Sequence, residues 1–471
     1  SQDTYELEIR SLADHLAEAS AEASVTDLAG WSGELRSGAR ANLLMGVASN
    51  RVDVKIAAAR AERTLERVAE PLSALFLEPS AWPRSLLDLA WRSVVVNSAH
   101  DSFCACSAAA VVDAVLHGYG EATDIGAGLT ERALRTIGER AGARGALIVN
   151  PSAHTRPGSV ELDLPGEGDS PDLQVLEQRP AQLALHTIRA TEAPTIVERE
   201  LDIRTDLVAV ELTGPTADGP AVVTLEGGDR LLEAPPARAR AVVEQLERLA
   251  SDAPGAEVRV DLHRPAQRRA LAATGPVPGF AWRAWRAGVD GPTVTAREAD
   301  TGATLEGDGL TVRVSGEDGT WTIDGVAGLG RLVDGGDAGD TYNHSPPRRD
   351  LVVDSPDEVA VQVVEAGPLR AAVEVLSRYR WPERIERGGR TGSVEHRVTT
   401  RLELRAGEPF VRVTTTFDNR SRDHRLRAWF PLPRPTPPSV AAGAGGTVPR
   451  GLPAAGAPPA AGLPTFPSRR F

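Results

Sequence analysis

The chain has 471 residues, with 65 acidic against 52 basic side chains and a formal net charge of −13. At about 150 residues per domain this is material for about three domains, each long enough to bury a core, so a peptide ligand or a disulfide-stapled miniprotein is excluded. The negative balance offers no broad positive field for a phosphate backbone, and no nucleic-acid partner is expected.

Leucine, isoleucine and alanine recur at helical spacing from Asp3 to about Ala23, as in Leu7, Leu12, Leu16 and Ala19, which predicts one amphipathic helix. After the break Gly30-Trp31-Ser32-Gly33, a second helical pattern runs from about Gly38 to Phe76 through Leu43, Leu44, Val47, Val54, Ile56, Leu65, Val68, Leu72 and Leu75. Pro79 and Pro83 end it. A third helix fits Leu86 to Val96, and a fourth runs from Ser107 to about Arg140. Long helices joined by short loops predict an antiparallel bundle.

Near residue 145 the period changes from helical to alternating. Ala146–Val149, Ser159–Leu164, Leu207–Leu212 and Ala221–Leu225 are short apolar runs punctuated by Gly, Pro and Asp, the pattern of small antiparallel sheets, with one helix at about Ala237 to Leu249. Beyond Gly275 to Gly279, strands are expected at Leu310–Val314, Thr320–Ile323, Glu358–Val364, Leu369–Leu376, Val394–Leu404 and Phe410–Phe417, which fits a β-sandwich. Residues 433–464 are Pro, Ala and Gly with little else, so that stretch is expected to be mobile. The fold class is thus multidomain, α then β. An opening helix (1–33) leads into a helical bundle (34–144), a small β-domain (145–255), a β-sandwich (256–432) and a tail (433–471).

No stretch reaches the ~18 consecutive apolar residues of a membrane helix, and the first twenty residues lack a signal-peptide core, so no membrane partner and a cytoplasmic location are expected. Lys55 is the sole lysine, a bias that reads as GC-rich coding. Cys104 and Cys106 are too close for an unstrained bridge and too few for a four-thiolate metal site, and are read as buried thiols. The start at Ser1 and the stop at Phe471 after a Pro/Arg stretch read as a fragment cut at both ends.

The most informative histidine is His100, in Asn97-Ser98-Ala99-His100-Asp101-Ser102-Phe103-Cys104. Short polar groups between two apolar helices cost a few kcal/mol if unpaired. Either Asp101 or Ser102 caps the next helix and His100 is hydrogen-bonded in the core, or imidazole and carboxylate both project toward a metal or a sugar.

Three stretches bear on these readings: Trp31-Ser32-Gly33-Glu34-Leu35-Arg36-Ser37, then Arg40 to Arg51, then His100-Asp101-Ser102 with Cys104-Ala105-Cys106-Ser107. In that order they resemble the middle of bacterial α-mannosidases of glycoside hydrolase family 38. Gly339-Asp340-Thr341-Tyr342-Asn343 resembles a loop of that family's β-domains, and Leu463 to Phe471 a later stretch. The resemblance implies retaining hydrolysis of an α-mannoside, with a carboxylate attacking the anomeric carbon and a second carboxyl protonating the leaving oxygen. It implies zinc on the sugar hydroxyls, His100 as a metal ligand and Asp101 as a sugar contact. Oligomer formation is a further implication, since enzymes of that family are often oligomeric.

The pattern is incomplete. The His-x-Asp pair of the family's N-terminal barrel is absent from this sequence, and so is the nucleophile. Zinc would need ligands from a preceding domain, and the fragment alone is expected to be inactive. Glu34 and Asp27 are the nearest candidates for the general acid, against a reading as solvated helix-entry carboxylates. Trp31 is a candidate for stacking on a sugar face, and Asp340 and Tyr342 for reaching over the site from the sandwich. The alternative reading of the whole is a non-catalytic carbohydrate-binding or assembly module.

Overall fold

The computed structural model describes residues 8–22, 47, 50–104, 106–142, 145–168, 173–203, 207–215, 219–227, 236–286, 291–342, 344–434, 439–443 and 446–450. Among these, α1 covers Leu12–Glu22 and buries no residue. The bundle begins with α2 (Val52–Thr64), which passes through a π-helical turn at Leu65–Ala69 into α3 (Glu70–Phe76). The sequence suggested a start near Gly38, but residues 38–46 lie outside the described set. The helices α4 (Arg84–Asn97), the single turn α5 (His100–Phe103) and α6 (Ala109–Ala141) follow.

The long helix α6 shows why the bundle forms. Its buried residues Val112, Val115, Tyr119, Ala122, Leu129, Ala133 and Ile137 recur every three or four positions, one apolar stripe on a helix. That stripe closes on Val54, Ala58 and Leu65 from the first limb and on Leu87, Ala90 and Val94 of α4. Each valine or leucine among them contributes about 1.5–3 kcal/mol on leaving water. Gly142, at a φ of 56°, ends the helix by donating its N–H to the Glu139 carbonyl.

The next unit has β1 (Leu147–Asn150), β2 (Ser159–Pro165), β3 (Leu173–Arg179), β4 (Gln182–Arg189), α7 (Ala193–Ile203), β5 (Leu207–Thr213), β6 (Ala221–Gly227), α8 (Pro236–Asp252), β7 (Glu257–Arg264), β8 (Gln267–Ala273) and β9 (Ala281–Ala284). One sheet runs β4-β7-β6-β5, a second runs β2-β8-β3, and β1 pairs with β9. Two expectations change here. The helix α7 was not foreseen, and β6 and β7 pair parallel, not antiparallel, because α8 supplies the crossover that a parallel pair requires. Strands β7, β8 and β9 hydrogen-bond back to β4 and β6, to β2 and β3, and to β1, so the sheets of this unit are completed by strands beyond residue 255.

The sandwich comprises β10 (Val294–Ala299), β11 (Gly302–Gly307), β12 (Leu310–Ser315), β13 (Trp321–Ile323), β14 (Val326–Leu329), β15 (Arg331–Gly336), β16 (Glu358–Ala366), β17 (Arg370–Trp381), β18 (Arg384–Glu386), β19 (Gly389–Thr391), β20 (Val394–Arg405), β21 (Arg412–Phe417) and β22 (His424–Trp429). A five-stranded antiparallel meander, β10 to β14, packs on the four-stranded sheet β16-β17-β20-β21. Their facing side chains Leu305, Val312, Val314 and Trp321 meet Val373, Val375, Leu402 and Leu404 in one core. At one end β15 pairs with β22 over a second cluster of Leu332, Tyr379, Trp381 and Val398. Part of the tail expected to be mobile is a hairpin, β23 (Ser439–Gly443) with β24 (Gly446–Arg450); residues 451–471 lie outside the described set.

Candidate functional site

The polar break after α4 is where the sequence placed its strongest candidate. The Ser98 hydroxyl donates back to the Val94 carbonyl at 2.7 Å and lies 3.3 Å from the Tyr119 hydroxyl, which closes α4. Ala99 is extended (φ −52°, ψ 145°), and the chain then makes one turn in which Phe103 N–H donates to the Ala99 carbonyl and Cys104 N–H to the His100 carbonyl. Two side chains from the start of the first bundle helix hold that turn. Asn50 Nδ2 donates to the Cys104 carbonyl at 2.9 Å, and Lys55 Nζ donates to the Phe103 carbonyl while lying 4.6 Å from the centre of the Phe103 ring. Lys55 is buried, and it reaches both the backbone and the ring of Phe103, on the segment that carries the histidine.

Within the turn, His100 Nε2 lies 3.0 Å from Asp101 Oδ1, and the two side chains are 87% and 70% exposed. His100 is therefore not a satisfied core histidine. Nor do Asp101 and Ser102 cap α6, whose N-cap is Ala108 with no side-chain cap; Asp101 instead offers its carbonyl to the Ser107 hydroxyl at 3.2 Å. The two thiols are free and are not both buried as expected: Cys106 is exposed and Cys104 half-buried, with burial pushing the Cys104 thiol up. A concavity of about 400 Å³ opens between α4 and α6, lined by Leu89, Arg92, Val96, Asn97, His117 and Glu121 among others. It reaches Asn97, and His100 is not on its walls.

The second candidate lies in the sandwich, on the loop after β15. Asp340 is exposed and its Oδ1 accepts the Tyr342 N–H at 2.9 Å, an Asx turn with a half-buried tyrosine. Asp337 organises the same loop: its Oδ1 accepts the N–H groups of Gly339 and Ser345 and lies 3.2 Å from His344 Nδ1. Underneath is a buried polar cluster that sequence reading passed over. Asp334, fully buried, pairs with the Arg390 guanidinium through one oxygen and with His424 Nδ1 at 2.6 Å through the other. Arg390 also donates to the Leu351 carbonyl at 2.7 Å, and His424 Nε2 lies 3.1 Å from Asn419 Oδ1.

Of the other sequence candidates, Asp27, Trp31 and Glu34 lie outside the described residues, so the structure brings together only His100 with Asp101 and, separately, Asp340 with Tyr342. Among the described residues no group of three or more His, Cys, Asp or Glu side chains could hold a metal ion. His100 and Asp101 provide two donors, short of the three or four that zinc takes, so the described residues do not by themselves fit that ion. Among the described residues, no helix is long and apolar enough to cross a membrane, which bears on helices alone.

Set against solved structures, the chain is similar to an α-mannosidase from Enterococcus faecalis V583, with a TM-score of 0.62 and 19% identity over 94% of this chain and 50% of that one. It is also similar to a protein of glycosyl hydrolase family 38 from Enterococcus faecalis, with a TM-score of 0.59 and 18% identity over 92% of this chain and 49% of that one. No protein-family profile and no curated protein matches the sequence. The chain spans about half the length of these solved structures and has a fold like that of family 38 over that half.

Proposed function

We propose that the chain forms the helical and β portion of a retaining α-mannosidase of the family 38 kind, and that the α4–α6 turn is its contribution to the sugar site. The observation that carries this reading is the overlap of 94% of the chain with an α-mannosidase structure. That likeness comes together with an exposed imidazole and carboxylate 3.0 Å apart on a turn held by Lys55 of α2 and by Asn50 just before that helix.

The chain's own residues have limited parts in this chemistry. His100 presents a ring nitrogen and Asp101 a hydrogen-bond acceptor toward solvent, where a sugar hydroxyl can be bound and oriented. Lys55 and Asn50 fix the height and direction of that turn. Asp340 and Tyr342, held by the Asp337 loop, are the proposed sugar contacts from the sandwich. Retaining hydrolysis needs two carboxyl groups about 5–5.5 Å apart. The described residues are assigned neither, and Glu34 and Asp27 remain the acid candidates on sequence alone. Zinc belongs to this reading only with donors beyond His100 and Asp101.

The test is hydrolysis of an aryl α-mannoside together with metal content, measured for this chain and for the full gene product. The reading predicts neither activity nor bound zinc in the chain alone, and both in a gene product that supplies the missing carboxylates and donors. A full product without hydrolysis, beside a chain that binds mannose without metal, would favour the carbohydrate-binding module instead.

A further inference from the structure

We infer that His396 is an acid-sensitive latch, whose unprotonated Nε2 holds the 419–424 segment, and through it Asp337, against the sandwich. The inference rests on the hydrogen-bond geometry of the sandwich and is independent of the mannosidase reading.

His396 sits in β20 and is fully buried. Its Nε2 lies 3.1 Å from the Arg420 backbone N–H, and its Nδ1 lies 3.1 Å from the Val394 carbonyl. A backbone N–H can only donate and a carbonyl can only accept. The ring is therefore neutral, with its proton on Nδ1 and its lone pair on Nε2. A second proton would land on Nε2, where it would meet the Arg420 N–H head-on and the hydrogen bond would be lost.

The groups around the ring do little to hold such a proton. Trp381 of β17 stacks on it with ring centres 4.4 Å apart, and Tyr379, its register partner on the same strand, has a phenol that burial pushes up to about 12 and so keeps neutral. Arg420 and His424 carry or can carry positive charge. Asp334 is the facing carboxylate, and it is already engaged by Arg390 and His424. Glu395, beside it in the strand, gives its carbonyl to the Arg420 guanidinium and its carboxylate to Arg378. Burial is the largest influence and holds the His396 imidazolium below the ordinary histidine range, against a weaker opposing pull from the Val394 carbonyl.

What the latch holds can be followed bond by bond. Beyond Arg420, Arg422 N–H donates to the Glu383 carbonyl, and Asp423 Oδ2 accepts the Ile385 N–H. The Asp423 carbonyl in turn accepts the Asp337 N–H at 2.9 Å, and Asp337 Oδ1 accepts the N–H groups of Gly339 and Ser345. Because the neutral form is favoured only while the segment is docked, the segment is fully held above the pKa of a free histidine and loosens as pH falls below it.

Residue-resolved hydrogen exchange on the chain, corrected for intrinsic rates and run from about pH 7.5 to about 4.5, tests this together with 15N spectra of labelled histidines. The Arg420 and Asp337 amides should lose protection together, by about tenfold per pH unit between the free and the docked pKa. Amides of β17 should stay protected, and the loss should track protonation of a histidine that is an Nδ1–H tautomer at neutral pH. H396Q keeps an acceptor for the Arg420 N–H but cannot titrate, so it should flatten the pH profile. If that variant does not fold, the wild-type 15N titration decides alone. Unchanged protection of Arg420 and Asp337 until the whole sandwich melts, or a loss that follows His424 instead, would overturn the latch.

Discussion

Lys55 and Phe103 form the contact on which the candidate turn depends: the lysine ammonium donates to the Phe103 carbonyl and sits 4.6 Å from the centre of the Phe103 ring. The link spans 48 positions of sequence and joins α2 to the turn that carries His100. A compact ammonium on a flexible stem suits this site, whereas a planar guanidinium needs a wider fork of acceptors.

Lys55→Met is expected to keep most of the packing and lose the donor. A buried carbonyl left without it costs about 1–3 kcal/mol, and the amides of residues 100 to 104 should exchange faster than those of α6. Urea unfolding read together with hydrogen exchange checks both; a variant with unchanged stability and unchanged exchange in the turn would mean that the contact positions nothing.

Beneath the sandwich loop, Asp334 and Arg390 are both fully withdrawn from solvent. Asp334→Asn leaves the buried guanidinium with only the more distant Asp350 carboxylate, 4.0 Å from it, as a counter-charge, for which a loss of about 3–5 kcal/mol is expected. Removing both partners with D334N and R390M should recover part of that loss, and a denaturation double-mutant cycle measures how much.

The Glu403 carboxyl gives a second pH dependence, in a lower window than His396. Burial alone would push it up, but the Arg405 hydrogen bond and the charges of Arg405, Arg370 and Arg401 outweigh burial and hold it below the usual carboxylate range. Its folded pKa is depressed, so its contribution to stability is complete above the ordinary glutamate value of about 4.3 and is lost as pH falls through the folded value. Thermal unfolding from neutral to strongly acidic pH should show that loss, and Glu403→Gln should flatten this lower limb while leaving any change near the histidine range in place.

Gly330 has a φ of +77°, and a Cβ added there would come within 1.8 Å of the Trp321 ring. That ring is buried and meets Phe430 edge-on at 6.2 Å. Gly330→Ala therefore combines left-handed strain with displacement of a core indole, and a loss of more than about 2 kcal/mol is expected, visible as a changed tryptophan emission and a lower unfolding midpoint.

The order of helices and strands was readable because periodicity is a local signal: the stripe through Val112, Val115 and Tyr119 and the alternation of Val359, Val361 and Val363 each mark one buried face. What periodicity could not supply was pairing between distant segments. The return of β7 to β9 onto β1, β2, β3, β4 and β6, the last as a parallel pair, depends on connections whose destination no short window contains. The helix α7 was missed for a related reason, since its eleven residues open on Ala193-Pro194-Thr195, which reads equally as a turn. At the candidate site, the polar residues around His100 were visible, but the residues that hold them were not. Lys55 did leave a trace, as the sole lysine in an arginine-rich chain. The Asp334, Arg390 and His424 cluster left none, because its members stand 34 to 90 positions apart and each resembles an ordinary surface charge.

Metal content and aryl α-mannoside hydrolysis of the full gene product, with and without His100→Ala, test the proposed role of the α4–α6 turn most directly. The account predicts that the substitution leaves the fold intact, because His100 is 87% exposed, and that retained zinc and turnover both fall by orders of magnitude. Wild-type zinc content and wild-type turnover in that variant would contradict it.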